Sequence, residues 1–122
     1  MHEMGITQGI LAASIEAAEK ENAVRIRAVR ISVGELTDIV ETALQFAFET
    51  LREGTIAEDA ELVVRHVAPR SRCTSCGEEF EHDKWDLTCP KCGSFFCEVL
   101  AGRELQVDSI DIDTEDGREE IA

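Results

Sequence analysis

The chain has 122 residues, enough for one domain, or for one domain carrying a small insert. Its formal charge of −14 and pI near 4.5 make phosphate backbones and anionic membrane surfaces poor partners, and suit cationic partners and metal ions better. No run is long enough to span a bilayer, and the N-terminus lacks the basic and continuous apolar regions of a secretory signal. We therefore expect a cytoplasmic protein whose five cysteines are metal ligands or free thiols rather than disulfides.

Residues 4–20 are predicted helical. Met4, Leu11, Ile15 and Ala18 form one apolar stripe, and Ile6, Ile10, Ala13 and Ala17 form an adjacent one. Glu16, Glu19 and Lys20 fall on the polar side. Residues 23–33, AVRIRAVRISV, alternate as a strand, with Val24, Ile26 and Ala28 opposite Arg25 and Arg27. The phase then slips, and Val29, Ile31 and Val33 carry it on, the pattern of a β-bulge that ends at Gly34. The stretch GELTDIVETALQFAFETLREG reads as a second helix on Val40, Ala43, Leu44, Ala47, Phe48 and Leu51. Asp38 with Glu41 resembles a capping box, and Gly54 fits a C-cap. Residues 61–67 read as a second strand and 103–112 as a third, on Leu105 and Val107 and then Ile110 and Ile112. The acidic end, DTEDGREEIA, is expected to fray.

Between strands two and three the composition changes. Residues 70–98 hold every cysteine, and about thirty residues cannot bury enough apolar surface to fold without a metal or disulfides. The expected fold is therefore α+β: a small three-stranded sheet with two helices, plus an inserted four-cysteine zinc-ribbon module. The boundaries are 1–69 together with 101–113 for the α+β domain, 70–100 for the ribbon and 114–122 for an acidic tail.

In CTSCGEEFEHDKWDLTCPKCG, Cys73 and Cys76 form one C-x-x-C pair and Cys89 and Cys92 the other, with twelve residues between the pairs. Two residues between thiolates let a tight turn aim both sulfurs at one ion, and Gly77 and Gly93 permit the positive φ of such a turn. Two knuckles make a tetrahedral four-thiolate site, for which Zn(II) is the natural occupant and iron, as in rubredoxin-type sites, the second choice. A closed shell leaves no position for substrate, so the zinc is expected to be structural. Against four unrelated buried cysteines, the spacing decides for a metal.

Nucleic acid is disfavoured in the ribbon itself, where Arg70, Arg72, Lys84 and Lys91 face Glu78, Glu79, Glu81, Asp83, Asp86 and Glu98. Trp85 is expected to be part of a miniature core rather than a base-stacking platform. Cys97 reads as a small buried hydrophobe beside Phe95 and Phe96 rather than a reactive thiol. His82 is a spare ligand beside an already filled shell, and His66 a partly buried or surface histidine.

The start, MHE, offers a different chemistry. The terminal amine of Met1, the His2 amide, the His2 imidazole and the Glu3 amide supply four nitrogens in a plane, which suits Ni(II) or Cu(II). The site needs an unmodified start; Met1 is expected to be retained, since its removal generally requires a small second residue. The tripeptide alone favours the plainer reading, an ordinary solvated histidine at position 2.

The ordered set of MHE, GEL after an alternating strand, ALQFAFETL, GTIAEDAELVV, the C-x-x-C…C-P-x-C-G ribbon and the final strand resembles the hydrogenase maturation nickel-incorporation family (HypA/HybF) over nearly the whole chain. The resemblance implies a nickel metallochaperone rather than an enzyme. Its partners would be a GTPase of nickel insertion and the NiFe-hydrogenase large subunit, with urease and its accessory proteins served in some organisms. Carried over by position, it places nickel as cargo at Met1, His2 and Glu3, and structural zinc at Cys73, Cys76, Cys89 and Cys92. Met4 stands where relatives often have leucine. Asp38, Glu41 and His82 match no family position closely enough for a role. Competing readings are an acidic zinc-ribbon interaction or nucleic-acid module, and a rubredoxin-like electron carrier; charge counts against the nucleic-acid reading, and knuckle spacing and the extra domain against the electron carrier. Monomer and homodimer stay open, with hinges near Pro69 and Gly102 that would permit swapping.

Overall fold

In a computed structural model, which describes residues 2–122, helix α1 runs over His2–Lys20 and starts earlier than its apolar stripes suggest. Ile10, Leu11 and Ala18 are buried as expected, but Ala13 and Ala17 are exposed. Glu3, Thr7 and Ser14 complete the buried face instead. Two of these polar groups are hidden at little cost because each hydroxyl bonds a carbonyl one turn back. Thr7 Oγ1 donates to the Glu3 carbonyl at 2.6 Å, and Ser14 Oγ to that of Ile10 at 2.7 Å.

Strand β1 follows over Ala23–Gly34. Ala28 and Val29 are both buried where the alternation slips, whereas Val24, assigned to the inner face, is 51% exposed. A single 3₁₀ turn, Glu35–Thr37, then leads to Asp38, which takes a left-handed φ of 59°. Asp38 therefore terminates a turn and does not cap the next helix, a correction to the capping-box reading. Helix α2, Glu41–Leu51, starts at Val40 with no side-chain cap of its own. The Val40 N–H instead donates to Glu3 Oε2 at 3.4 Å, so an acid from α1 takes the part expected of Glu41. Leu44, Ala47 and Phe48 are buried on α2, while Val40 and Ala43 are exposed. The two helices pack on each other. Gln45 Nε2 donates to the Leu62 carbonyl at 2.8 Å and ties α2 to the next strand.

Strand β2 covers Glu61–Val67, as expected; β6 covers Leu105–Thr114 and β7 Glu119–Ile121. The sheet has four strands, in the order β2-β1-β6-β7, rather than three. The extra strand comes from the acidic end expected to fray. It pairs antiparallel with β6, Ile110 and Ala122 exchange both main-chain bonds at 2.8 Å, and the Thr114 N–H bonds the Arg118 carbonyl at 2.9 Å. Asp116-Gly117 is the hairpin turn signal that the charge of this stretch obscures. Phe48, Leu44, Ile26, Ile31, Val29, Ile110 and Ile112 are the large apolar side chains lost to solvent here.

The chain divides into two units. One comprises residues 1–31, 39–65 and 106–122; the other comprises 32–38 and 66–105. In the second, β3 (Arg70–Cys73), β4 (Glu79–Glu81) and β5 (Cys97–Ala101) form a three-stranded antiparallel sheet in the order β4-β3-β5. Its core is small: Cys73, Phe80 and Cys89, with Cys97 packed against them. Trp85 is 83% exposed and Phe95 and Phe96 are 76% and 75% exposed, so none belongs to the miniature core expected for Trp85. The sulfurs and Phe80 fill that space. Among the described residues the architecture is α+β, with two α-helices and two sheets.

Candidate metal centres

The two C-x-x-C knuckles are built alike. The Gly77 N–H bonds the Cys73 carbonyl at 2.9 Å with φ +81°, and the Gly93 N–H bonds the Cys89 carbonyl at 2.9 Å with φ +78°. Each turn needs its glycine for that left-handed φ. The result brings all four sequence-predicted thiols together, with Sγ atoms of Cys73, Cys76, Cys89 and Cys92 within 4.8 Å of one another. Cys73 and Cys92 sulfurs are 3.5 Å apart, and Cys76 and Cys89 3.6 Å. A tetrahedron with metal–sulfur bonds of about 2.3 Å needs sulfurs about 3.8 Å apart, so the donor set fits a zinc ion. Cys73 and Cys89 are buried, and Cys76 and Cys92 exposed.

The metal-free thiols share their protons unequally. Cys73 is lowered to about 6, chiefly by the Cys76 backbone N–H aimed at its sulfur and further by that of Ser75. Cys92 also accepts a backbone bond, from Ser94, yet it is pushed up to about 12 because the neighbouring thiols and burial outweigh that bond. A thiolate is thus already favoured at one corner, as a metal ligand requires.

His82 stands outside this cluster. Its Nε2 lies 2.7 Å from Ser71 Oγ and its Nδ1 2.6 Å from the Asp83 carbonyl. A carbonyl only accepts, so Nδ1 carries a proton, and Nε2 shares a hydrogen bond with the buried Ser71 hydroxyl. Asp38 accepts from Lys84 Nζ at 2.6 Å within the same unit. Glu41 opens α2, where its carboxylate accepts from Gln45 Nε2 at 3.5 Å. His66 is exposed.

At the other candidate centre, Met1 lies outside the described residues. His2 is the first residue of α1, with its imidazole 63% exposed and its Nε2 3.6 Å from Glu3 Oε2. The first N–H groups of any helix have no acceptor within it, so the His2 and Glu3 amides lie where a metal competes with no α1 backbone bond. The Glu3 carboxylate is held below the usual carboxylate range by its own backbone N–H and by that of Val40. Sequence reasoning missed this buried acid. The signal was there: Glu3, Thr7, Leu11, Ser14 and Ala18 share one face of a 3.6-residue helix.

Residues 1–112 match the family described as "Hydrogenase/urease nickel incorporation, metallochaperone, hypA". The chain is 37% identical over 114 residues to a hydrogenase maturation factor HypA of Caldanaerobacter subterraneus subsp. tengcongensis, covering 93% of this chain and 100% of the relative. It is 39% identical over 115 residues to that of Chlorobium luteolum, covering 94% and 98%. The solution structure of the Ni metallochaperone HypA from Helicobacter pylori superposes with a TM-score of 0.69 at 28% identity, covering 94% of this chain and all of that one.

Proposed function

The chain belongs to the HypA family of hydrogenase and urease nickel-incorporation metallochaperones, and on that premise we propose that it takes up Ni(II) at its N-terminus and hands it on during maturation of NiFe-hydrogenase. Urease is a second recipient consistent with the family description. The reading rests on a binding protein rather than an enzyme, with the GTPase of nickel insertion and the hydrogenase large subunit as partners. Zinc at Cys73, Cys76, Cys89 and Cys92 is structural, because all four thiols serve one ion and leave no corner for a reactant.

The observation that carries the nickel site is that α1 begins at His2. The terminal amine, the His2 and Glu3 amides and the His2 imidazole supply the nitrogens, with both amides free of helix bonding. A Ni(II) ion with two deprotonated amides and a neutral amine and imidazole is uncharged overall. The partial positive charge at a helix N-terminus disfavours a bare cation but not this complex, and it favours the amide anions. The site is half backbone and lies at a chain end, so a recipient can exchange its ligands one at a time. It loses nickel as pH falls, because amine, amides and imidazole must all give up protons.

The test is a nickel titration of zinc-loaded protein with its native start, beside protein carrying two extra residues before Met1. The native form is expected to bind one nickel tightly and the extended form to lose it. Equal binding by both moves the nickel elsewhere and overturns the assignment. His2→Ala is expected to lose nickel with zinc content and helix signal unchanged. Colour and metal analysis separate zinc from the iron of a rubredoxin-like carrier.

A further inference from the structure

The fifth cysteine is placed against the thiol cluster by the sheet itself. Cys73 ends β3, Cys97 begins β5, and the two are directly opposite in the antiparallel register. The next pair along, Thr74 and Phe96, is bridged by the Thr74 N–H to the Phe96 carbonyl at 2.9 Å. Hydrogen-bonded and non-hydrogen-bonded pairs alternate, so Cys73 and Cys97 form a non-hydrogen-bonded pair, the kind whose Cα atoms are about 4.5 Å apart and whose side chains lie closest. A disulfide spans Cα separations of about 4.4–6.8 Å, so the register accommodates one. The Cys73 N–H points the other way, to the Glu78 carbonyl at 2.8 Å, and would not be disturbed. Cys97 Sγ packs against Cys73, Phe80 and Cys89 and lies 3.5 Å from the Leu87 carbonyl. It is partly exposed, whereas Cys73 is 1% exposed.

We propose that Cys97 is an oxidation site which, in the presence of peroxide, forms a cross-strand disulfide with Cys73 and so expels the structural zinc. This rests on the reading that the four thiols hold zinc. The Cys97 thiol gives up its proton and the thiolate attacks hydrogen peroxide; the O–O bond breaks, sulfur gains OH, and the hydroxide that leaves takes up that proton as water. Cys97 is then a sulfenic acid, oxidised by two electrons. The Cys73 thiolate attacks that sulfur, the S–S bond forms, and the S–O bond breaks with loss of hydroxide. Cys73 is no longer a thiolate, and a zinc site with three thiolates in place of four holds its ion less firmly. The nickel reading does not depend on this step.

The experiment treats zinc-loaded full chain with hydrogen peroxide and follows zinc release with a colorimetric chelator, with disulfides mapped by mass spectrometry of non-reduced peptides. Cys97→Ser and Cys97→Ala are run beside it, and zinc content before oxidation shows that each variant folds and that the cluster holds zinc at all. Wild type is expected to release its zinc with a Cys73–Cys97 linked peptide, and reductant with added zinc to restore it. Both variants are expected to keep their zinc at the peroxide dose that empties wild type. Equal release from variants and wild type, or disulfides confined to Cys73, Cys76, Cys89 and Cys92, overturns the proposal. Chains without zinc before oxidation would sink the structural-zinc reading, and this proposal with it.

Discussion

Glu3 is where one side chain separates two accounts of the nickel site. Its carboxylate accepts from the Val40 N–H and from its own backbone N–H, and that amide has no backbone acceptor within α1. If nickel uses the amide, Glu3→Gln keeps one nickel per chain with affinity changed only severalfold, while His2→Ala abolishes it. Isothermal titration of both variants decides, and loss of binding in Glu3→Gln would make the carboxylate a ligand. Asp111 carries a different prediction. Arg30 reaches it with Nη1 at 2.5 Å and Nη2 at 2.7 Å and holds its carboxyl below the usual range through that paired hydrogen bond. A depressed folded-state pKa contributes stability above the unfolded value of about 3.9, which is lost as pH falls through the folded value. Asp111→Asn should therefore cost about 1 kcal/mol at neutral pH, a figure discounted because Arg30 is 40% exposed. Urea unfolding across a pH series should show the gap between variant and wild type closing below about pH 4.

Among the elements, the close approach at Gly34 is the most exacting. A Cβ there would fall inside the carbonyl of Gly102, and the Gly34 N–H already bonds the Glu104 carbonyl at 2.7 Å. Backbone on both sides leaves nothing to yield, so Gly34→Ala should destabilise by about 3 kcal/mol or more, measured by chemical denaturation. Elements of this kind show what sequence does and does not reveal. The strands at 23–34 and 61–67 and the helix at 41–51 were legible because their apolar period is strong. The knuckles were legible because spacing and glycine alone dictate where two sulfurs point. The cap of α2 was not: it is supplied by Glu3, 37 residues upstream, and no local pattern encodes a tertiary partner. Nor was β7, whose pairing is carried by main-chain bonds that acidic composition neither makes nor forbids. Trp85 was misplaced by the rule that a large aromatic in a small module is core, because the ribbon interior is occupied by the sulfurs and Phe80.

Over the whole chain, 26 acidic residues face 12 basic ones, and many of the cations are already engaged. Arg25 and Arg27 share Asp113, Arg30 holds Asp111, Arg72 meets Glu98, Arg118 meets Asp116 and Lys84 meets Asp38. The surplus carboxylates repel one another in the folded state more than in the expanded chain, so folding works against the charge. The same surplus draws a divalent cation toward the surface before any ligand is engaged. Salt screens both effects, over about 30 Å at 10 mM and about 8 Å at 150 mM. One variable should therefore move two observables in opposite directions: raising sodium chloride across that range raises Tm and lowers the nickel association rate constant. Calorimetry and stopped-flow nickel uptake on the same samples test this. Should the rate not change with salt while Tm rises, capture is set by the uncharged amine and imidazole at the chain start alone. The charge of −14 would then serve solubility rather than the cargo.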